Sequence, residues 1–191
     1  MKIHTKETVP EASRDAYSEL SANFGWSPNV LGALAGSPVL IKSYQALGKI
    51  IGEDSAFTPA EQEIIQTTGS AHNGCDYCMA AHSTIIKMKG LLSESEFSAL
   101  RSGESLADTK QEALRQFALE MFQSEGNPSA AAVEAVKEAG YEDEHILEMI
   151  THMAFETISN YAAHVVDPPL DEAFQEQVWG EEAAVACDTG G

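Results

Sequence analysis

Residues 58–90 read TPAEQEIIQTTGSAHNGCDYCMAAHSTIIKMKG, and this stretch decides both the fold class and the chemistry. Thr58 and Glu61 stand three apart around Pro59, the spacing of a capping box with proline in the first helical turn. The spacing predicts a helix from there to Asn73-Gly74, a strong stop. A second helix opens at once, carries Cys78 and His82, and ends at Gly90. We read the two as an antiparallel pair joined by a tight turn. Glu63 then lies roughly 15 Å before the turn and His82 roughly 12 Å after it, at 1.5 Å per residue. The two side chains sit at similar heights and can meet. Cys78 and His82, four residues apart, share one face of the second helix.

This places a carboxylate, an imidazole and a thiol in contact order: Glu63, His82, Cys78. Only the thiolate is strongly nucleophilic, and a free cysteine, with a pKa of about 8.5, is mostly protonated at neutral pH. A helix N-terminus and a neighbouring histidine both favour the anion. Glu63 can orient His82 and stabilise its cation, as in any set of nucleophile, base and orienting group. Cys75, in the same Cys-x-x-Cys, can condense with an oxidised Cys78 to give a disulfide. That is the logic of a two-cysteine peroxide reductase or a thiol–disulfide oxidoreductase. A second reading is a redox-sensing or zinc-binding module without turnover. His72, Cys75, Cys78 and His82 offer four potential zinc ligands, although zinc fingers usually separate their ligand pairs by a longer loop.

The rest of the chain shows helical periodicity and no convincing strand. Pro10 stands in a first-turn position of a helix reaching Gly25, Val30–Ala35 is a short apolar helix, and Ser37-Pro38 caps the next one. Ser93 and Glu96 frame another cap, Leu114, Phe117, Met121 and Phe122 form one stripe, and Asn127-Pro128 is expected to cap the helix ending at Gly140. The last long helix runs from about 143 to about 165, with Ile146, Ile150, Met153, Thr157 and Tyr161 on one face. Pro168-Pro169 ends it. The expectation is an all-α, single-domain helical bundle of about eight helices over residues 1–191. His152 and His164 lie on the last helix, and His152 is expected at the surface or at an interface.

Bulk properties narrow the function classes. A net charge of −19 disfavours nucleic acid and anionic membranes as partners. The imbalance is local: 11 acids face 8 bases in residues 1–103, against 19 acids and 3 bases in 104–191. No apolar run approaches a membrane span and the start lacks an apolar signal core, so a cytoplasmic location is expected. Three cysteines under those conditions argue for redox or metal chemistry rather than a disulfide framework. Cys187 is expected to be a bystander in a terminal tail at 183–191.

Glu63-x11-Cys75-Asp76-Tyr77-Cys78-x3-His82 resembles the motif of the carboxymuconolactone decarboxylase-like superfamily, in particular its alkylhydroperoxidase D-like, peroxidase-related branch. Trp26-Ser27-Pro28-Asn29-Val30, Ser37-Pro38, Ile158-Ser159-Asn160-Tyr161 and Asp167-Pro168-Pro169-Leu170-Asp171 resemble its flanking segments, so the likeness spans about residues 9–180. The resemblance implies an all-helical subunit assembling into homotrimers or hexamers, with no bound cofactor. It implies a hydroperoxide substrate and a thiol electron donor such as a thioredoxin-like or lipoyl protein. It further implies that Cys78 attacks the peroxide, that Cys75 resolves, and that Glu63 and His82 relay the proton. One departure stands out: the peroxidase proper has a histidine just before the second motif cysteine, where this chain has Tyr77. Tyrosine, with a pKa of about 10, is a poor base.

Overall fold

The computed structural model describes residues 1–180; Cys187 and the terminal tail lie outside the described residues. The architecture is all-α, with nine α-helices and two short 3-10 turns among the described residues. In chain order the helices are α1 (Arg14–Phe24), α2 (Asn29–Leu34), α3 (Pro38–Asp54), α4 (Pro59–Asn73), α5 (Asp76–Lys89), α6 (Glu94–Ser102), α7 (Thr109–Gln123), α8 (Ala130–Glu138) and α9 (Asp143–Val166). The 3-10 turns are Glu11–Ser13 and Glu172–Gln177. Eight of the helices have nine residues or more, matching the expected count.

The helix starts follow from side-chain capping. Thr58 and Ser93 form complete capping boxes with Glu61 and Glu96. Ser37 accepts from the backbone N–H of Leu40 with Pro38 in the first turn. Two boundaries differ from expectation. Pro10 precedes the 3-10 turn rather than opening α1, which begins at Arg14. The cap of α8 is Ser129, whose hydroxyl accepts from Ala132 N, and not Asn127. Serine is as good a cap as asparagine, and Pro128 keeps the residue before it out of the helix.

α4 is the central element. It packs against α5, α6, α7 and α9 and is buried from Glu63 through Ser70. One apolar cluster joins α4, α7, α8 and α9 around Ile65, Phe117, Met121 and Met149. Another joins α1, α2 and α3 around Leu31, Leu34 and Ile41. The buried side of α9 is only in part the apolar stripe expected from its sequence: Ile146 and Met153 pack against the core. Ile150 and Tyr161 are exposed, whereas Met149, His152, Glu156, Ser159, Asn160 and Ala163 face inward. The helix therefore brings polar groups to the core. It also leaves Leu147, Ile150, Tyr161 and Val165 in solvent.

Gly69 makes this packing possible. A Cβ there would stand 2.5 and 2.7 Å from the Phe122 ring and 3.1 Å from Cγ of Glu156. Alanine normally gains up to about 1 kcal/mol over glycine inside a helix. Here overpacking, typically about 1–3 kcal/mol, should outweigh that gain. Gly69→Ala is expected to lower the denaturant midpoint, and a raised midpoint would show that Phe122 of α7 and Glu156 of α9 are free to move off α4.

Candidate functional site

α4 and α5 meet at Gly74, whose φ of 66° is the left-handed conformation that glycine tolerates. The turn places Cys75 at the N-cap of α5, where its sulfur accepts from the backbone N–H of Cys78 at 3.3 Å. The two Cα atoms are 5.3 Å apart and the sulfurs are joined as a disulfide. Both cysteines are buried in an apolar cluster with Tyr77, Ala80, Ala163 and Phe174, edged by Trp26, Val30 and Leu170. The dithiol thus sits where the positive end of a helix favours a thiolate, with little access to bulk water.

The antiparallel pairing brings Glu63 and His82 together as their heights predicted. Oε2 of Glu63 is 2.9 Å from Nδ1 of His82. Cys78 lies one turn before His82 on the same helix, and both are under 9 % exposed. The four residues of the sequence motif therefore occupy one buried locus.

A fifth residue, absent from the sequence reading, completes it. Glu156 of α9 is fully buried, and its Oε2 lies 3.3 Å from Nε2 of His82. That is an ion-pair distance without hydrogen-bond alignment, and Oε2 has no hydrogen-bond partner. The other oxygen is fully engaged: Ser70 Oγ and Asn160 Nδ2 both donate to Oε1, at 2.5 and 2.6 Å. Asn160 in turn accepts from Asn73 Nδ2 at 2.8 Å, two residues before Cys75. Two inward donors on one oxygen suit an ionised carboxylate.

Electrostatics follow from this arrangement. Burial alone would lower the pKa of His82, but the carboxylates of Glu156 and Glu63 outweigh it and push the imidazole up to about 10. Burial would raise Glu156, and the His82 cation together with the Ser70 and Asn160 donors holds it below its ordinary value instead.

His152, expected at the surface or at an interface, is buried outright. It meets Glu148 through Nε2 at 3.1 Å and packs edge-on against Phe57. Burial lowers its pKa against the pull of Glu148. The correction has the same cause as the misread face of α9: an inward stripe carrying His152, Glu156 and Asn160 looks like a solvent face by hydropathy. His164 is exposed, with Nε2 3.3 Å from the Gly74 carbonyl. His72 lies in the last turn of α4 against the Phe122 ring. Among the described residues no group of three or more His, Cys, Asp or Glu is arranged to hold a metal ion.

Tyr77 has a structural task. Its hydroxyl accepts from Val30 N at 3.2 Å and donates to Asp171, which also accepts from Asn29 N at 3.0 Å. Its ring stands edge-on to Phe174. Burial and Asp171 raise its pKa well above the usual phenol, so it supplies no base. It clasps α5 to α2 and to the segment after α9.

A cavity of about 590 Å³ opens on the outer side of His82, lined in part by Tyr44, Gln62, Gln66, Ile85 and Phe155. Tyr44 and Phe155 stack with ring centroids 4.3 Å apart. A more apolar cavity of about 630 Å³ lies between the N-terminal residues, α3 and the second half of α9, and none of the motif residues lines it.

An imidazolium held more tightly in the folded than in the unfolded chain stabilises the fold in full below pH 6.5, and this contribution fades as pH rises to about 10. Denaturant unfolding of the oxidised protein should thus show stability falling across that window. His82→Gln should flatten the fall, and an equal fall in both proteins would assign it to other groups.

Residues 38–120 match the model of the carboxymuconolactone decarboxylase family. The matched stretch runs from α3 into α7, dithiol included, and is similar to that family over those residues. A peroxidase-related protein of Ralstonia eutropha JMP134 with an alkylhydroperoxidase AhpD core has a similar structure, with a TM-score of 0.77 at 24% identity over 90% of this chain and 92% of that one. A peroxidase-related protein of Silicibacter sp. TM1040 has a TM-score of 0.74 at 21% identity, over 88% and 90% of the two chains. A variant of the debrominase Bmp8, solved in complex with 2,3,4-tribromopyrrole, has a TM-score of 0.75 at 17% identity over 92% and 94%. A comparison with curated proteins finds no match. The fold is the alkylhydroperoxidase D-like one that the motif resembled.

Proposed function

We propose that the protein is a thiol-dependent peroxidase or disulfide oxidoreductase that reduces hydroperoxides through the Cys75–Cys78 dithiol. The observation that carries this reading is the buried Glu63–His82 pair one helical turn from a cysteine at a helix N-terminus. A structural cysteine pair needs neither the imidazole nor the carboxylate.

In this scheme the Cys78 thiolate attacks an oxygen of R–O–OH. The sulfur–oxygen bond forms, the O–O bond breaks, and Cys78 becomes a sulfenic acid. The departing alkoxide takes a proton through the Glu63–His82 relay and leaves as ROH. Cys75 then attacks the sulfenic sulfur, water departs, and the disulfide closes. Two electrons have passed from the dithiol to the peroxide. A dithiol donor of the thioredoxin-like or lipoyl class returns them by thiol–disulfide exchange. Cysteine Cα atoms 5.3 Å apart support the closing step. The chemistry needs no bound cofactor. The family match and the peroxidase-related neighbours support the reading, although the same fold also carries a debrominase, so the reaction rests on the site and not on the fold.

Stopped-flow reaction of the reduced protein with hydrogen, tert-butyl and cumene hydroperoxides tests it. Cys78→Ser should abolish the reaction, and Cys75→Ser should stop it at the sulfenic acid, trappable with dimedone. A Cys78→Ser variant as fast as the parent chain would sink the assignment.

We also propose a homo-oligomer, trimer or hexamer. Leu147, Ile150, Tyr161 and Val165 form an exposed apolar strip along α9, the kind of patch that a subunit contact covers. Light scattering should give a mass of three or six times 20.5 kDa, and Ile150→Glu with Val165→Glu should reduce it. A parent chain of monomeric mass would refute the assembly.

A further inference from the structure

The sequence motif accounts for one edge of the imidazole only. Glu63 takes Nδ1 of His82 at 2.9 Å, and Nε2 faces Oε2 of Glu156 at 3.3 Å. Glu156 comes from α9, 74 residues beyond His82 in the chain, and is 0 % exposed. Taking a carboxylate out of water costs several kcal/mol even after relaxation, so a bare structural role would be filled more cheaply by an amide or an apolar residue. The surroundings favour the charged form: Ser70 and Asn160 both donate to Oε1, and Oε2, with no hydrogen-bond partner, faces the imidazole edge at ion-pair distance. Gly69 removes the one side chain that would push Glu156 away.

We propose that Glu156 is a positioning residue of the dithiol site: it holds the Nε2 edge of His82 as Glu63 holds the Nδ1 edge, so that the imidazole stays doubly protonated and fixed one turn from Cys78. The charged and titratable groups around His82 come from every packed element: Glu19 on α1, Tyr44, Lys49 and Glu53 on α3, Glu63 on α4, Cys78 and Lys89 on α5, and Glu156 and His152 on α9. Of these, only Glu63 and Glu156 lie within ion-pair distance of the ring. His82 is then a standing cation. It favours the Cys78 thiolate by its charge and hands a proton to the departing alkoxide, and the next proton reaches it from solvent through the cavity that it lines.

The kinetic part of this inference rests on the peroxidase reading; the protonation part does not. The experiment measures both on the full-length reduced protein. In the parent chain, proton–nitrogen correlation spectra of His82 should show both ring nitrogens protonated at neutral pH and well above it. Glu156→Gln keeps the shape and the Ser70 and Asn160 contacts but removes the charge. It should lower the pH at which His82 loses its proton by at least about one unit, a tenfold change in that equilibrium. The alkaline limb of kcat/KM for cumene hydroperoxide should move down in pH by the same amount, with KM little changed. Glu156→Asp should restore part of each shift. A singly protonated His82 at neutral pH in the parent chain overturns the proposal even if no variant folds. So does a Glu156→Gln protein whose His82 titrates with the parent. If the parent reduces no hydroperoxide, the peroxidase reading falls while the spectra still decide the role of Glu156.

Discussion

Three helices meet where the imidazole ring of His82 lies buried between two carboxylates that come from different helices. Glu63 arrives on α4, His82 on α5 and Glu156 on α9. Each ion would be costly to bury alone. Together they fix the spacing of three helices, because a shift of any one would strand a charge without its partner. Apolar packing supplies most of the stability but is non-directional. The charged set supplies the register. The dithiol is carried along, since Cys78 is tied to His82 by a single turn of α5.

The same constraint explains features that look unrelated at first. Gly69 is bare so that Phe122 and Glu156 can approach α4. Ser70 and Asn160 are buried hydroxyl and amide groups whose donors end on Glu156. Asn73 continues the chain of hydrogen bonds to the turn before Cys75. The polar face of α9 is thus turned inward to serve the site, while part of its apolar residues face out.

How much of this was legible beforehand depended on distance along the chain. Capping boxes at Thr58 and Ser93, the stop at Asn73-Gly74 and the i, i+4 relation of Cys78 to His82 are local, and each appears in the structure as read. The Glu63–His82 contact needed one tertiary assumption, an antiparallel pair, and geometry then fixed the rest. Glu156 lies far along the chain, and its helix invited the wrong face: Ile150 and Tyr161 looked like core because hydropathy cannot tell an inward polar stripe from a solvated one. A signal was present nonetheless. Ile158-Ser159-Asn160-Tyr161 already stood out as a family-like segment, and Asn160 proves to be a donor to Glu156. Tyr77 was legible only as a departure, and its meaning came from Asp171, 94 residues away.

The clasp between Tyr77, Asn29 and Asp171 has a consequence for how the protein comes into being. The cysteines leave the ribosome well before α9 and the Asp171 segment that closes over α5. During that interval the chain carries a Cys-x-x-Cys whose histidine lacks its second carboxylate and whose helix lacks its cover. Domains acquire structure roughly as they emerge, yet here the reactive end of α5 is sealed only by the last fifth of the chain. A nascent dithiol of this kind is open to every oxidant and thiol around it, and the finished fold is what buries it.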